Sequence, residues 1–259
     1  MIESLLSLST WAGCSVMMAL TAFLGLSVYL VSYKLIAKYK SRDLKDEIGG
    51  LFRVVGMLVS LMLSLAFGEV IVELVQIKNA VEREVVAIKD VSKDLQLFDI
   101  EGTRQIRAIL IDYTQAVIDD DWPALANDSL GQRATALERQ LAEALIRLKP
   151  TTPIQEKLWS IIIADVDAMS DFRMTRLDNA LAEPPVYVFV IIFGFVVTMA
   201  CFGAYYPQAP VIALVFLYTI FVGLVLFLIL TLSDPFQGGL SAEVTTFEKL
   251  AEGLRAMNR

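Results

Sequence analysis

The chain of 259 residues is 56% hydrophobic, has a mean hydropathy of +0.60 and carries a net charge of −7 at neutral pH. This apolar content is high for a soluble domain, and the acidic balance argues against a nucleic-acid partner. The sequence contains no histidine, which removes the commonest general base and the commonest metal ligand. We therefore predict an integral membrane protein that is not an enzyme, with no catalytic residue, metal site or cofactor.

Four apolar segments are long enough to cross a bilayer, whose core of about 30 Å needs roughly 20 helical residues. They are residues 11–33, 51–77, 186–206 and 211–233. The first segment is longer than the apolar core of a secretory signal peptide and follows no basic residue, so we expect it to be retained. The last should end at Asp234-Pro235, because proline removes a backbone donor.

The segment between the second and third spans carries most of the charge. Residues 78–183 contain 13 basic and 19 acidic side chains, so this segment is expected to lie in water. The sequence thus predicts a first transmembrane pair, an acidic helical extramembrane domain, a second transmembrane pair and a C-terminal tail. Their bounds are residues 1–77, 78–185, 186–233 and 234–259.

Apolar residues of the middle segment recur every three or four positions, as in amphipathic helices. The second span is predicted to continue as a long rod with the stripe Ile77, Val81, Val85, Ile88, Val91 and Leu95, until a break at residues 99–102. Two later helices show the same spacing, at Ile106, Leu110, Tyr113 and Val117 and at Leu130, Ala134, Leu137, Leu141, Leu145 and Leu148. We expect these stripes to pack the middle helices on one another.

Polar residues and prolines mark the ends of these helices. Residues 119–123, three aspartates followed by Trp-Pro, predict a solvated turn, because the ligand spacing of a calcium-binding loop is missing. Thr152 is the predicted N-cap of the next helix, with Pro153 at its first position and Gln155 placed for a capping box. That helix should reach Leu181.

The second span differs from the others because it carries charges and hydroxyl groups, which are costly in a bilayer and point to function. At about 100° per residue, six side chains lie within about 40° of one another on one face. These are the candidate pore-lining residues Arg53, Met57, Ser60, Ser64, Phe67 and Ile71. Glu69 and Glu73 project from the opposite side, so they cannot line the same narrow passage.

Three interpretations of this span stay open. If several copies turn the serine face inward, Arg53 at the mouth and an apolar constriction of Phe67 and Ile71 favour anions. If the opposite face is inward, rings of Glu69 and Glu73 favour cations. Alternatively, a face of small residues forms a close helix contact without any pore: Gly56, Ser60, Ser64 and Gly68.

A series of short motifs runs along nearly the whole chain. They are Asp46-Glu47-Ile48-Gly49 leading into Phe52, then Glu73, Glu84, Tyr113, Asp121-Trp122-Pro123, Arg173, Arg176-Leu177 and Asp234-Pro235-Phe236-Gln237-Gly238. In this order and spacing they resemble the bestrophin-like domain family of mainly bacterial membrane proteins. One departure is Val72, where the family leads us to expect an aromatic residue such as tryptophan.

The resemblance implies a four-helix membrane subunit similar to bestrophins, which are pentameric anion channels. In bestrophins the second membrane helix lines the pore and continues into a helical extramembrane region. The expected fold is therefore all-α. The expected partners are the lipid bilayer, further copies of the chain in a homopentamer, and small inorganic ions. A membrane-anchored sensor or interaction protein is the non-channel alternative.

The orientation in the cell (inner) membrane is predicted from basic residues near the spans. Lys34, Lys38, Lys40, Arg42 and Lys45 lie around the short loop between the first two spans, and the positive-inside rule places such a loop in the cytoplasm. This favours the extracytoplasmic side for the middle domain. Bestrophins have the reverse arrangement, and basic residues also follow the second span, at Lys78, Arg83, Lys89 and Lys93.

Overall fold

All regular secondary structure in the described part of the chain is helical, which confirms the all-α prediction. The computed structural model describes residues 10–36, 42–98, 102–127, 129–180, 187–205, 207–233, 236 and 244–257. In chain order the helices are α1 Thr10–Ile36, α2 Arg42–Phe98, α3 Thr103–Ala116, α4 Trp122–Leu125, α5 Gln132–Arg147, α6 Pro153–Ala180, α7 Tyr187–Phe202, α8 Ala209–Leu232 and α9 Thr245–Met257. A π-helical turn, Val117–Asp121, joins α3 to α4.

The helices group into two compact units. The first contains Met1–Val72 and Glu183–Leu240, and the second contains Glu73–Ala182 and Ser241–Arg259. Residues 234–259 are predicted to form a separate tail, whereas in the structure α9 belongs to the second unit. The physical reason is an apolar stripe of α9 that is buried in the core of that unit: Phe247, Leu250 and Leu254.

In the first unit, α1 lies against α7 and α8. Small residues permit this close approach, because a Cβ on Gly25 would meet Thr219 of α8 and a Cβ on Gly223 would meet Thr21 of α1. The apolar core includes Tyr29, Leu63, Ala66, Val70, Ile191, Phe195, Val222 and Leu226.

Three helical segments of the described chain are long and apolar enough to span a bilayer: Trp11–Ile36, a stretch within Ile48–Phe98, and Ala209–Leu232. The segment Val188–Phe202 is also apolar but shorter. Its predicted span, residues 186–206, extends at both ends beyond the described residues. The predicted stop at Asp234-Pro235 also lies outside them.

The second unit packs the C-terminal part of α2 with α3, α5, α6 and α9 around one core. The rod predicted from the sequence is confirmed, because α2 runs without interruption to Phe98. Of its predicted stripe, Val85 is partly buried, and the other five residues are buried. The break predicted after the rod lies at residues 99–101, which are outside the described residues, and Gly102, which has a left-handed φ of 104°.

The helix start predicted at Thr152 is observed. The capping box is confirmed, because Gln155 N donates to Thr152 Oγ1 at 3.2 Å and Thr152 N donates to Gln155 Oε1 at 3.2 Å. The prediction that Leu130 belongs to the core face of α5 is wrong, because Leu130 precedes that helix and is 55% exposed. Helix α6 is described to Ala180, and the predicted end at Leu181 is outside the described residues.

The predicted solvated turn at residues 119–123 is wrong. The backbone stays helical there, first as the π-helical turn and then as α4. Pro123 lies in the first turn of α4, directly after the π-helical turn, where the hydrogen-bond register changes. The consequence is that Asp121 lies inside the unit with no exposed surface.

Candidate pore helix and buried ionic cluster

The first unit covers helix α2 on one face only. Val59, Leu63, Ala66 and Val70 are buried there, at the spacing of three and four residues that a single helix face requires. Val59 approaches Gly194 of α7 so closely that a Cβ on that glycine would overlap it. Large apolar side chains on the uncovered side are exposed in the single chain: Val54, Leu58, Leu61, Leu65 and Val72.

The structure places the six predicted pore-lining residues beside the covered face. Phe67 is half-buried against the core of the first unit, and the other five are exposed. Ser60 Oγ donates to Gly56 O at 2.9 Å, and Arg53 Nε donates to Gly49 O at 3.4 Å. The serine proton is thus satisfied inside the helix, so the exposed hydroxyl oxygen is available to line a polar passage.

The two glutamates of the alternative cation site are four residues apart on another side of α2. Glu69 is exposed and Glu73 is half-buried. At about 100° per residue they lie roughly 160° from the centre of the serine face. The structure therefore does not bring these carboxylates and the serines together within one chain.

Gly56 and Gly68 of α2 have no close packing partner within the described part of the chain. A Cβ added to Gly56 or Gly68 would meet no described atom within 4 Å. Close helix contacts occur instead at Gly25, Gly194 and Gly223, on α1, α7 and α8. A close helix contact through Gly56 or Gly68 therefore requires a second molecule.

Five charged side chains form a buried ionic cluster in the second unit: Glu84, Asp121, Glu138, Arg173 and Arg176. They come from α2, the π-helical turn, α5 and α6, so the cluster joins four parts of the chain. Glu84, Asp121 and Arg176 have no exposed surface, and Arg173 is 5% exposed. Buried charges are tolerated only when they are paired and hydrogen-bonded.

Arg176 lies at the centre of the cluster. Its Nε donates to Glu84 Oε2 at 2.9 Å, and its Nη2 lies 3.2 Å from both Glu84 Oε1 and Asp121 Oδ2. The guanidinium carbon lies 5.7 Å from the ring centroids of both Trp122 and Phe247, a cation–π arrangement. Helix α9 thus contributes an aromatic wall to the cluster through Phe247.

Arg173 joins the cluster to α5. Its Nε and Nη2 donate to the two carboxylate oxygens of Asp121, at 3.0 and 3.1 Å. Its Nη1 donates to Glu138 Oε2 at 2.7 Å, and its Nη2 also lies 3.0 Å from Thr135 Oγ1. Ser170 donates to the second oxygen of Glu138. The bidentate geometry fixes the orientation of both partners.

Tyr113 of α3 completes the cluster by donating from its hydroxyl to Glu84 Oε1 at 2.8 Å. Burial raises the pKa of Tyr113 well above its ordinary value, and the Glu84 carboxylate raises it further. Burial alone would lower the pKa of Arg173, but the hydrogen bond to Asp121 and the attraction of that carboxylate outweigh it, so its pKa is raised. The tyrosine therefore stays protonated and the arginine charged at neutral pH, as their hydrogen bonds to the carboxylates require.

The backbone around Asp120 and Asp121 is shaped to bring the second carboxylate inward. Asp120 Oδ2 accepts a hydrogen bond from Arg133 N at 2.8 Å, at the start of α5, where the helix dipole favours an anion. Gly131 lies so close to both aspartates that a Cβ would overlap them. In the described part of the chain, no group of three or more acidic, cysteine or histidine side chains could hold a metal ion.

Comparison with known proteins agrees with this fold. The sequence matches the Bestrophin-like domain over residues 19–247, which is most of its length. The chain belongs to the bestrophin-like family. The resemblance inferred from the motifs is therefore confirmed, and the apolar helices are those of a membrane protein. Among curated proteins, none matches the chain.

Solved structures share the fold of this bestrophin-like chain at low sequence identity. A variant of a bacterial bestrophin homologue from Klebsiella pneumoniae is 12% identical, with a TM-score of 0.67 over 94% of this chain and 98% of the other. A second variant of that homologue is also 12% identical, with a TM-score of 0.67 over 93% of this chain and 98% of the other. A structure described as a membrane protein is 12% identical, with a TM-score of 0.69 over 94% of this chain and 97% of the other.

Five residues that carry the bestrophin-like resemblance meet at the buried ionic cluster: Glu84, Tyr113, Asp121, Arg173 and Arg176. In the sequence they belong to separate motifs along the chain, and their meeting is not predicted. A signal for their burial is nevertheless present. Glu84 continues the apolar stripe of Val81 and Ile88, at spacings of three and four residues.

The same pattern holds on α6 of the bestrophin-like chain. Ile162, Val166 and Met169 form a buried stripe, and the next positions in the series are Arg173 and Arg176. A charged residue at a core position of an amphipathic helix requires a buried partner of opposite charge. The sequence could therefore have indicated that these arginines and Glu84 are paired, although not which partner each one takes.

Proposed function

We propose that this bestrophin-like protein is one subunit of an oligomeric, anion-conducting channel in the cell membrane, with the N-terminal half of α2 lining the pore. In this proposal α1, α2, α7 and α8 all cross the bilayer, and the second unit lies outside it. Family membership and the shared fold support a channel, and the apolar helices support a membrane location.

The observation that carries the proposal is the incomplete cover of α2. Its own chain buries one face, and the face with Arg53, Ser60 and Ser64 remains exposed beside a broad apolar surface. A helix that carries an arginine and serines at membrane depth needs polar surroundings, which other copies or water can supply. A ring of copies meets both needs, since neighbouring copies cover the apolar surface and the serine face turns to the axis.

The residue types on this face favour anions. A ring of Arg53 side chains at one mouth attracts anions, and the polar serine hydroxyls line the pore beyond it. Phe67 and Ile71 follow at the other end and form an apolar constriction. Glu69 and Glu73 lie away from this face, so they do not offset the arginine ring along the axis.

The proposal is tested by ion flux through the purified full chain in liposomes. We expect chloride to pass in preference to sodium. Arg53→Gln should lower that preference, whereas Arg147→Gln, at an exposed arginine of the second unit, should leave it unchanged. The channel proposal fails if no flux is seen at any voltage or pH.

The cation alternative is decided by the same assay. If sodium passes in preference to chloride, Glu69→Gln and Glu73→Gln should each reduce the preference. Unchanged selectivity in both variants would exclude the carboxylate rings. The mass of the detergent-solubilised protein tests the proposed homopentamer, and a monomer would contradict a pore on a symmetry axis.

The side of the membrane that holds the second unit stays a prediction. The basic loop between the first two spans favours the extracytoplasmic side. A cysteine at Ile146, which is 72% exposed, in a chain whose own Cys14 and Cys201 are replaced, can be labelled from one side with an impermeant reagent. Labelling of intact cells supports the prediction, and labelling only after lysis contradicts it.

A further inference from the structure

Two grooves flank the exposed face of α2 in the second unit. The first groove, of 390 Å³, lies between α2 and α9 and is lined by Val85, Lys89, Thr246, Lys249, Leu250, Gly253 and Met257. The second groove, of 320 Å³, lies between α2 and α6 and is lined by Glu82, Arg83, Val86, Ala87, Asp90, Asp165, Ala168 and Phe172. We call them the basic groove and the acidic groove, after the charged residues that line them.

The basic groove combines positive charge with an apolar floor. Both charged residues that line it, Lys89 and Lys249, are lysines, and Met257 at its end is 42% exposed. The α9 wall is held in place at its C-terminal end, because Gln96 Nε2 of α2 donates to Met257 O at 3.4 Å. The groove is therefore a fixed feature of the fold that suits an anionic partner with some apolar surface.

The acidic groove has the opposite charge. Glu82, Asp90 and Asp165 line it, and the single basic residue, Arg83, lies with its guanidinium carbon 5.7 Å from the ring centroid of Phe172. Partial burial raises the pKa of Asp165, and the carboxylates of Asp90 and Asp94 raise it further. These carboxylates repel one another, so a cationic partner at this groove would relieve an unfavourable arrangement.

The two grooves lie at the same height along α2. Lys89 of the basic groove and Asp90 of the acidic groove are consecutive residues, which differ in height by about 1.5 Å. Around the axis of α2, the residues that line the basic groove and those that line the acidic groove have mean directions about 110° apart, at 100° per residue. A rotation about an axis parallel to α2 keeps heights unchanged, so it can bring the basic groove of one copy against the acidic groove of the next.

We propose that the basic groove of each copy binds the acidic groove of the neighbouring copy in a closed ring. This inference rests on the self-association in the proposed function and names its contact surface. Lys89 and Lys249 of one copy face Asp90 and Asp165 of the next, with Val86 and Met257 supplying apolar contact between them. In a ring of five, the directions to the two neighbours of a subunit differ by about 110°, which agrees with the angle between the α2 residues that line the two grooves.

Charge disfavours a contact through one groove alone. A two-fold contact centred on a single groove would place that groove against its own copy, which brings like charges together and is unfavourable. Contact between unlike grooves pairs the charges at every interface and uses both surfaces of every copy. Such a heterologous contact closes into a ring, the symmetry that a pore on an axis requires.

Cysteine cross-linking in membranes tests the contact. In a full chain without its native cysteines, Lys249→Cys combined with Asp165→Cys should give a ladder of covalent oligomers with a thiol-reactive cross-linker. The matched control combines Lys249→Cys with Asp167→Cys, because Asp167 is exposed on α6 but two residues away and points to the other side. The control should remain monomeric on a denaturing gel.

Charge reversal gives a second, independent readout. Lys249→Glu or Asp165→Lys alone should lower the oligomeric fraction of solubilised protein, and the double variant should restore it because the pair is complementary again. Equal ladders from both cysteine combinations, no ladder at all, or no recovery in the double variant would overturn the contact. Chloride flux without a ladder refutes only the contact, whereas a ladder without flux supports the contact and refutes the channel.

Discussion

Replacing Arg176 with methionine should destabilise the second unit by about 3–5 kcal/mol, because it leaves buried carboxylates without their cation. Arg176 has no exposed surface and makes three charge-assisted contacts, at 2.9, 3.2 and 3.2 Å. After the substitution Asp121 is still paired with Arg173. In the described part of the chain, Glu84 then has only the hydroxyl of Tyr113 as a hydrogen-bond partner. The apolar side chain fills part of the space and does not replace the charge.

The magnitude follows from comparison with an exposed arginine. Arg147 pairs with Glu143 at 3.8 Å, and their side chains are 81% and 56% exposed. Such a surface pair contributes about 0–1 kcal/mol. Arg147→Met is therefore the matched control, with the same chemical change at a site where water solvates the remaining carboxylate.

The assay is thermal unfolding of the full chain in detergent, followed by tryptophan fluorescence. Trp122 reports on the site directly, because its ring faces the Arg176 guanidinium. For a unit of this size, a loss of 3–5 kcal/mol lowers the melting temperature by about 10 °C or more. Equal melting temperatures for Arg176→Met and Arg147→Met would refute the view that the cluster holds the unit together.

Three further variants test other parts of the second unit. Tyr113→Phe removes a hydrogen bond to a carboxylate and should cost about 1.5–3 kcal/mol. Because the folded-state pKa of Tyr113 is raised, its contribution is complete below about pH 10, where a free tyrosine titrates, and is lost as the pH rises further. Melting curves at pH 8 and pH 11 should thus differ less for the variant than for the native chain, and an equal difference would contradict this assignment. Gly131→Ala should destabilise by about 1–3 kcal/mol, because its Cβ would overlap Asp121, whereas Gly253→Ala, in open space within α9, should be neutral or stabilising by up to about 1 kcal/mol. Phe247→Ala should cost about 3–5 kcal/mol and expose α9 to proteolysis, and resistance equal to that of the native chain would show that α9 does not depend on this anchor.

Periodicity made several features of this chain predictable. Runs of about 20 apolar residues indicate the membrane helices, and spacings of three and four residues indicate the rod of α2 and the core faces of α3 and α5. The capping box at Thr152 and Gln155 was also predictable, because it needs only residues three positions apart. Each of these features depends on neighbours along one helix, which the sequence displays directly.

The C-terminal helix and the turn before α4 were not predictable in the same way. Helix α9 has an apolar stripe of three residues, and whether it packs on the second unit depends on a surface formed by distant segments. The aspartates at residues 119–121 resemble a solvated turn in any sequence. Their actual burial depends on Arg173 and on the space left by Gly131.

The sequence by itself determined that one membrane helix differs from the others, since Arg53, the serines and the glutamates all lie on the second span. Only the tertiary structure decided which face of that helix its own chain covers and that Glu84, Asp121 and the two arginines meet. The physical reason is that helix periodicity is a local property, which depends only on residues three or four positions apart in the sequence. Pairing of buried charges joins residues up to 92 positions apart, and only packing brings them together.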